Sequence, residues 1–261
     1  MSRALPRKLA VVNKQTITSN MMRITLGGDD LVTFPDEQEG GYIKLHFAKS
    51  GVLNENVLAQ LQSEDTQQRP ILRTYTVRNQ REDPKQIDVD FVMHDAGPAS
   101  NWALNSEIGS EIYIAGPGKK KSVDATADWV LIIGDMTALP AISVNLSSLA
   151  ETAKGYAVIE ILHENDKQAL AVPSGVTLIW VVSNPASKSS ELVDVVKSLP
   201  ELAGNASAWL ACEFDKMRLL RTYIYQDLQI PRRCVYASSY WKQGMTEQEH
   251  KSVKKADSLT A

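Results

Sequence analysis

A chain of 261 residues with 43% hydrophobic and 23% charged side chains is ordinary globular material, long enough for one large core or two modest ones. Its net charge of −3 leaves no global basic field for nucleic acid, so affinity for an anion must come from a local cluster. Two cysteines, Cys212 and Cys234, and four scattered histidines, His46, His94, His163 and His250, exclude a disulfide scaffold and supply no protein ligand set for a metal.

The first half reads as short strands rich in Val, Ile, Thr and Tyr: Leu9 to Thr18, Met22 to Leu26, Tyr42 to Phe47, Thr74 to Val77, Ile87 to His94 and Glu111 to Ile114. In the fifth, Ile87, Val89, Phe91 and Met93 alternate with Asp88 and Asp90. Turn signals such as Gly27-Gly28-Asp29-Asp30 and Gly40-Gly41 separate them, and residues 51–70 read as a long polar loop. An N-terminal antiparallel β-barrel over residues 1–118 is expected.

After Gly116-Pro117-Gly118 the period changes. Trp129 to Ile133 is a continuous apolar run, as in a strand buried on both faces. A helix is expected over Ala138 to Ala153, with Ile142, Leu146, Leu149 and Ala153 on one stripe. Further strands are expected at Ala157 to His163, Val176 to Val182, Ala208 to Cys212 and Arg233 to Tyr236. Helices are expected at Ser189 to Leu199 and at Asp215 to Leu228, the second with Met217, Leu220, Ile224 and Leu228 aligned. This alternation predicts a C-terminal α/β domain with a parallel sheet over residues 119–261, ending in a polar tail from Thr246 that is either a short helix or loose. The run from Trp129 to Gly134 is far too short to span a bilayer, and no apolar stretch of signal type follows Met1 to Lys8. A cytoplasmic protein engaging neither membrane nor nucleic acid is expected.

Several short constellations carry chemistry. On a strand, Arg73, Tyr75 and Val77 share one face and Thr74, Thr76 and Arg78 the other. Tyr75 can cover a flavin ring, Thr76 and the backbone can bond its polar rim, and Arg73 can pair with a pyrophosphate. The same segment also reads as a plain strand with two surface arginines. The run His94 to Ala103 follows a strand and opens a helical turn; Gly97 lets backbone approach a phosphate, Pro98 starts the helix, and the N–H groups of Ala99 and Ser100 point at it. Trp102 is expected in the core. No GxGxxG occurs, which argues against an ordinary dinucleotide fingerprint. Gly134, Asp135, Thr137 and Ala138 lie at the carboxyl end of the first parallel strand, where open α/β sheets bind ligands, and Thr137 can cap the next helix. The fourth parallel strand ends on the same rim at Glu213, followed by Arg218 and Arg221, which either hold a nucleotide phosphate or are solvated.

Taken in order, these segments resemble the siderophore-interacting protein family. Arg73 to Arg78 is similar to its R-x-Y-T-x-R, and His94 to Ala103 to its H-x-x-x-G-P-A-x-x-W-A. Gly134 to Ile142 resembles G-D-E-T-A-L-P-A-I with Met136 in place of Glu. Trp209 to Arg221 resembles W-x-A-G-E followed by R-x-L-R, with Cys212 in place of Gly. Ser239 to Gly244, with Tyr240, Trp241 and Lys242, resembles the C-terminal Y-W-[RK]-x-G. The likeness runs from about Leu9 to Gly244; both departures fall in the α/β half, where they bear on nucleotide preference.

The resemblance implies a ferredoxin-reductase-type layout, with FAD held on the barrel by Arg73 to Arg78, by His94, Gly97 to Ser100 and Trp102, and by Tyr240 and Trp241. It implies NADH or NADPH on Gly134, Asp135, Thr137, Ala138, Glu213, Arg218 and Arg221, with ferredoxin as an alternative donor. The expected activity is ferric-siderophore reduction by a monomer, the flavin converting a two-electron hydride into single electrons for iron. No nucleophile, acid–base residue or resident metal is nominated. A basic mouth of Lys44, Lys119, Lys120, Lys121 and Lys242 would suit an anionic ferric siderophore; a lysine run is about as well read as a solvated linker. The alternatives are a flavin reductase serving a quinone or redox protein, for which a basic cluster has no use, and a non-enzymatic siderophore carrier, against which the intact flavin segments argue.

Overall fold

The computed structural model describes residues 5–48, 59–60, 63, 65, 69–94, 97–184 and 190–258, so most of the expected 51–70 loop lies outside the described residues. The chain divides into two compact units, residues 1–120 and 121–261.

The first unit is a seven-stranded antiparallel sheet: β1 (Arg7–Thr18), β2 (Met21–Gly27), β3 (Tyr42–Phe47), β4 (Ile71–Thr76), β5 (Asn79–Glu82), β6 (Lys85–Val92) and β7 (Glu111–Gly118), in the order β4-β3-β7-β1-β2-β6-β5. A short helix, α1 (Pro98–Asn105), follows β6. Alternate residues fill one core: Leu9 and Val11, Ile24 and Leu26, Ile43 and Leu45, Ile87, Val89 and Phe91, Ile112 and Ile114. The alternation expected along β6 is present, yet Asp88 and Asp90 on its other face are also buried, at 4% and 5% exposure. Their charges are answered locally. Arg81 grips Asp88 with two bonds of 2.8 and 2.9 Å while Thr25 donates to it at 2.7 Å. Arg23 grips Asp90 at 2.6 and 2.8 Å. β5 has no sequence expectation because Asn-Gln-Arg-Glu carries no apolar period; it forms as the partner that brings Arg81 to Asp88.

Burial opposes the charge on Asp88, but the bonds from Arg81 and Thr25 outweigh it and hold the carboxyl below its ordinary value. Asp88→Asn is expected to destabilise this unit by about 1–3 kcal/mol at neutral pH. A depressed folded pKa adds stability above the unfolded value of 3.8, lost as pH falls through the folded one. The gap between wild type and variant in urea denaturation is therefore expected to be full at pH 7 and to close below pH 3.8. A gap independent of pH would show that the ion pair contributes nothing.

The second unit is a five-stranded parallel sheet: β8 (Trp129–Asp135), β9 (Lys154–Ile161), β10 (Gly175–Val182), β11 (Ala206–Glu213) and β12 (Val235–Trp241), in the order β10-β9-β8-β11-β12. Its helices are α2 (Leu139–Ser147), α3 (Glu191–Ser198), α4 (Phe214–Gln226) and α5 (Glu247–Ser258). β8 and β11 lie inside the sheet and are buried from end to end, as the apolar runs Trp129 to Ile133 and Ala208 to Cys212 require.

Two expectations need correction, and of the two readings left open for the tail the helical one holds. The helix from Ala138 stops at Ser147, six residues short of Ala153, because the Ser147 and Ser148 hydroxyls bond back to the carbonyls of Val144 and Asn145. The last strand does not run from Arg233 to Tyr236; Arg232–Cys234 is a 3₁₀ turn and the strand continues to Trp241, carrying Tyr240 and Trp241. The tail is an ordered helix whose start is a capping box: Thr246 N–H and hydroxyl both donate to Glu249, whose own N–H donates to Thr246 Oγ1.

Candidate functional site

In the first unit, β4 and α1 are far apart in sequence, and the aromatic core joins them. Tyr75 lies on Phe91 with ring centroids 4.4 Å apart, and Trp102 lies on the same Phe91 at 5.9 Å and on Phe47 at 6.0 Å. The strand segment and the helical turn are thus two sides of one cluster. β4 is the terminal strand of the sheet order, paired with β3. Val77 is fully buried and Thr76 nearly so, with Thr74 and Tyr75 more open. Arg78 turns away from this cluster: it is 3.9 Å from Asp90, in the Arg23–Asp90 network, and burial lowers its pKa. Arg73 donates to the Leu72 carbonyl at 2.9 Å.

Gly97 is the N-cap of α1 with φ 126° and ψ 146°, a region essentially reserved for glycine. A Cβ there would meet the His94 ring at 2.9 Å. The turn is tightened from inside by Ser100, whose hydroxyl donates to the His94 carbonyl at 2.8 Å and accepts its N–H at 3.1 Å. Ser100 therefore serves the turn through its side chain, while the first-turn N–H groups of Ala99 and Ser100 have no intrahelical acceptor by helix geometry. A side chain at position 97 would press on the His94 ring, and the first-turn N–H groups beside this glycine are the kind of donor set that the pyrophosphate of FAD would fit. Asp95 and Ala96 lie outside the described residues.

In the second unit, the carboxyl edge of the sheet is organised by buried carboxylates. Asp135 ends β8 at 4% exposure. One of its oxygens accepts the N–H of Thr137 at 2.9 Å and the Thr137 hydroxyl. The other accepts the Glu213 N–H at 2.9 Å and the Trp241 indole N–H at 2.8 Å. Burial raises its pKa, with those donors pulling the other way. Thr137 thus ties down the turn and does not cap α2, whose N-cap is Ala138 with no side-chain bond. Glu213 caps α4, accepting the N–H groups of Asp215 at 2.6 Å and Lys216 at 3.2 Å, and its other oxygen accepts Gln243 N–H at 3.2 Å. Gly134 has Ala211 O 2.7 Å and Ala138 Cβ 3.0 Å from where a side chain would begin, so close strand–helix packing selects glycine here.

Arg221 is largely covered while the Arg218 side chain stays 56% exposed, and one carboxylate engages both. Arg221 holds Asp257 of α5 with bonds of 2.6 and 2.9 Å, and Arg218 lies 3.1 Å from the same carboxylate. Tyr240 packs edge-on against Trp209 at 6.4 Å, and burial drives its phenol pKa well up.

The lysines differ from one another. Lys44 pairs across β3 with Thr74 of β4, beside the flavin-type segment. Lys119, Lys120 and Lys121 are exposed, and the Lys121 carbonyl accepts the Trp209 indole N–H at 2.8 Å. Lys242 is largely covered: its amine bonds Asp215 at 2.6 Å and sits over the Phe214 ring at 4.5 Å.

Sequence reasoning missed three groups. Glu160 of β9 is buried beneath Lys216 of α4, whose amine reaches both oxygens at 2.6 and 2.7 Å. His250 and Ser239 form a buried 2.8 Å pair that docks α5. Asp257 neutralises the arginines. The Thr-x-x-Glu at Thr246 would have announced α5 and with it the last two. Among the described residues no cluster of His, Cys, Asp and Glu could hold a metal, and no helix is long and apolar enough to cross a membrane.

Comparison with known proteins gives a consistent result. The family model of the siderophore-interacting FAD-binding domain matches residues 10–121, and that of siderophore-interacting protein matches residues 127–244. The ferric vibriobactin reductase ViuB of Vibrio cholerae is 33% identical over 255 residues, 96% of this chain and 94% of that one. An Escherichia coli NADPH-dependent ferric-chelate reductase is 25% identical, over 90% of this chain and 92% of its own. The solved structure of SipS, a siderophore-interacting protein from Aeromonas hydrophila, matches with a TM-score of 0.84 at 31% identity, covering 98% of each chain.

Proposed function

This chain belongs to the siderophore-interacting protein family, and from that membership we propose that it is an FAD-dependent reductase of ferric siderophores, drawing electrons from NADH or NADPH. The observation that carries the reading is the shared aromatic cluster: Phe91 brings the edge strand β4 and the glycine-capped start of α1 together. When bound, FAD supplies the conversion of a two-electron hydride into single electrons for ferric iron.

The chain's own residues then position and exclude. Arg73 and the α1 N-terminus with Gly97 hold the pyrophosphate; Tyr75 covers the ring and Thr76 meets its polar rim. Arg78 supports that strand from behind through Asp90. Lys44, Lys119, Lys120 and Lys121 supply positive charge for the anionic substrate, Lys242 being held by Asp215. Reduction to Fe(II) loosens its hard oxygen ligands and frees the iron. The protein acts as a cytoplasmic monomer on the soluble nicotinamide pool.

The test is anaerobic turnover of the purified yellow protein on a panel of anionic and neutral ferric chelates, a quinone and ferricyanide, with NADH, NADPH or reduced ferredoxin as donor, after identifying the heat-released flavin by chromatography. FAD is expected, with ferric chelates reduced and a Michaelis constant for anionic chelates that rises with salt. Recovery of FMN alone, or turnover of the quinone but no ferric chelate, would overturn the proposal.

A further inference from the structure

Resting on the reductase reading above, we infer that Asp135 is a positioning residue for the donor half of the reaction: it aims the indole of Trp241 at the carboxyl edge of the parallel sheet, where the aromatic ring of the nicotinamide nucleotide lies against it.

Asp135 itself cannot serve a nucleotide directly. Its four acceptor directions are taken by Thr137 N–H, the Thr137 hydroxyl, Glu213 N–H and Trp241 Nε1. All four donors are neutral, so this buried carboxylate is not half of an ion pair. What it provides is geometry, tying together the ends of β8, β11 and β12. Asparagine would not substitute, because its amide nitrogen would face either the Thr137 donors or the Glu213 and Trp241 donors.

Trp241 is the one of these partners that reaches solvent. It is the last residue of β12 and is 40% exposed although its indole N–H is bound inside. An indole fixed by its N–H on a residue that stays 40% exposed is a locked platform for a flat heteroaromatic group. The backbone on either side is fixed too. Trp241 is in register with Glu213, the Glu213 side chain accepts Gln243 N–H, and Lys242 is bridged to Asp215. Ligands of open parallel sheets lie outside the carboxyl ends of the strands, the edge on which this ring stands.

The experiment uses the full FAD-loaded protein with Asp135→Asn, Trp241→Phe and the double variant. Four quantities are read: tryptophan emission, affinity for NAD⁺ and NADP⁺ by calorimetry, flavin reduction by NADH or NADPH in stopped flow, and reoxidation of dithionite-reduced protein by a ferric chelate. Asp135→Asn is expected to shift the emission, weaken nucleotide binding and slow flavin reduction by on the order of 100-fold, the scale of a misplaced positioning group. Reoxidation by the chelate is expected to keep its rate. Trp241→Phe should give a similar loss, and the double variant should be no worse than the more impaired single one, since the residues act in series.

Additive losses, equal slowing of both half-reactions, or a folded Asp135→Asn with normal flavin reduction would each overturn the inference. If Asp135→Asn does not fold, Trp241→Phe decides alone, and unaltered flavin reduction there sinks it. Failure of the reductase reading looks different: the wild-type protein would then reduce no ferric chelate with either nucleotide, whatever the variants do to flavin reduction.

Discussion

Gly97→Ala is expected to strip most of the FAD from the purified protein while leaving the second unit folded. The reason is local. At φ 126° and ψ 146° an L-residue is strained by about 1–3 kcal/mol, and its Cβ would also press on the His94 ring at 2.9 Å. The turn can relieve both only by moving, and its movement carries the start of α1 with it. At about tenfold in affinity per 1.4 kcal/mol, the dissociation constant for FAD should rise by about tenfold to a hundredfold. Titrating FAD into flavin-stripped protein measures this directly. The Ser100 clasp on His94 gives an internal control: Ser100→Ala removes two hydrogen bonds from the same turn without backbone strain, so its loss should be smaller. Stoichiometric, tightly held FAD in Gly97→Ala would mean that the glycine serves only chain entry into α1.

Lys216→Met is expected to be among the most destabilising single changes in the second unit. Glu160 is 5% exposed, and Lys216 is the cation bonded to it. Burial already raises the Glu160 pKa, Lys216 counteracts that, and Asp135 and Glu191 push it further up. Removing the amine leaves a buried carboxylate without its partner, a loss of about 3 kcal/mol. The sign of its pH dependence follows. With the folded pKa above the unfolded value of 4.5, the folded state holds the proton more tightly. Stability of the variant is then greatest below pH 4.5 and falls as pH rises through the raised folded value. Urea denaturation at pH 4 and pH 7 should show a small deficit at the first and the full deficit at the second. The double variant Glu160→Gln with Lys216→Met should recover much of the loss, since an amide asks for no counter-charge. A deficit of equal size at both pH values, unrelieved by the glutamine, would mean that Lys216 acts through the packing of its stem.

Much of this protein is written in residues that are close together in the chain. The apolar run from Trp129 announces a strand buried on both faces, and the alternation from Ile87 to Phe91 announces a barrel strand with one face inward. Arg73 to Arg78 and His94 to Ala103 could be read because a flavin and its phosphates are met by backbone and by side chains a few positions apart. The sequence by itself therefore determined the two architectures and the family.

It did not determine what the charged residues do, because a charge finds its partner across the fold. Asp88 and Asp90 look like the solvent face of a strand, yet Arg81 and Arg23 arrive from β5 and β2 to bury them. Asp135, Glu213, Arg218 and Arg221 look like nucleotide ligands, yet the first two accept backbone and indole N–H groups from neighbouring strand ends and loops, and the arginines close on Asp257, 36 residues beyond Arg221. A carboxylate is indifferent to whether its donors come from a ligand or from its own chain; it takes whichever the packing of the backbone sets within hydrogen-bond reach. Periodicity records which side of an element faces the core, and only the tertiary structure decides which donor stands opposite.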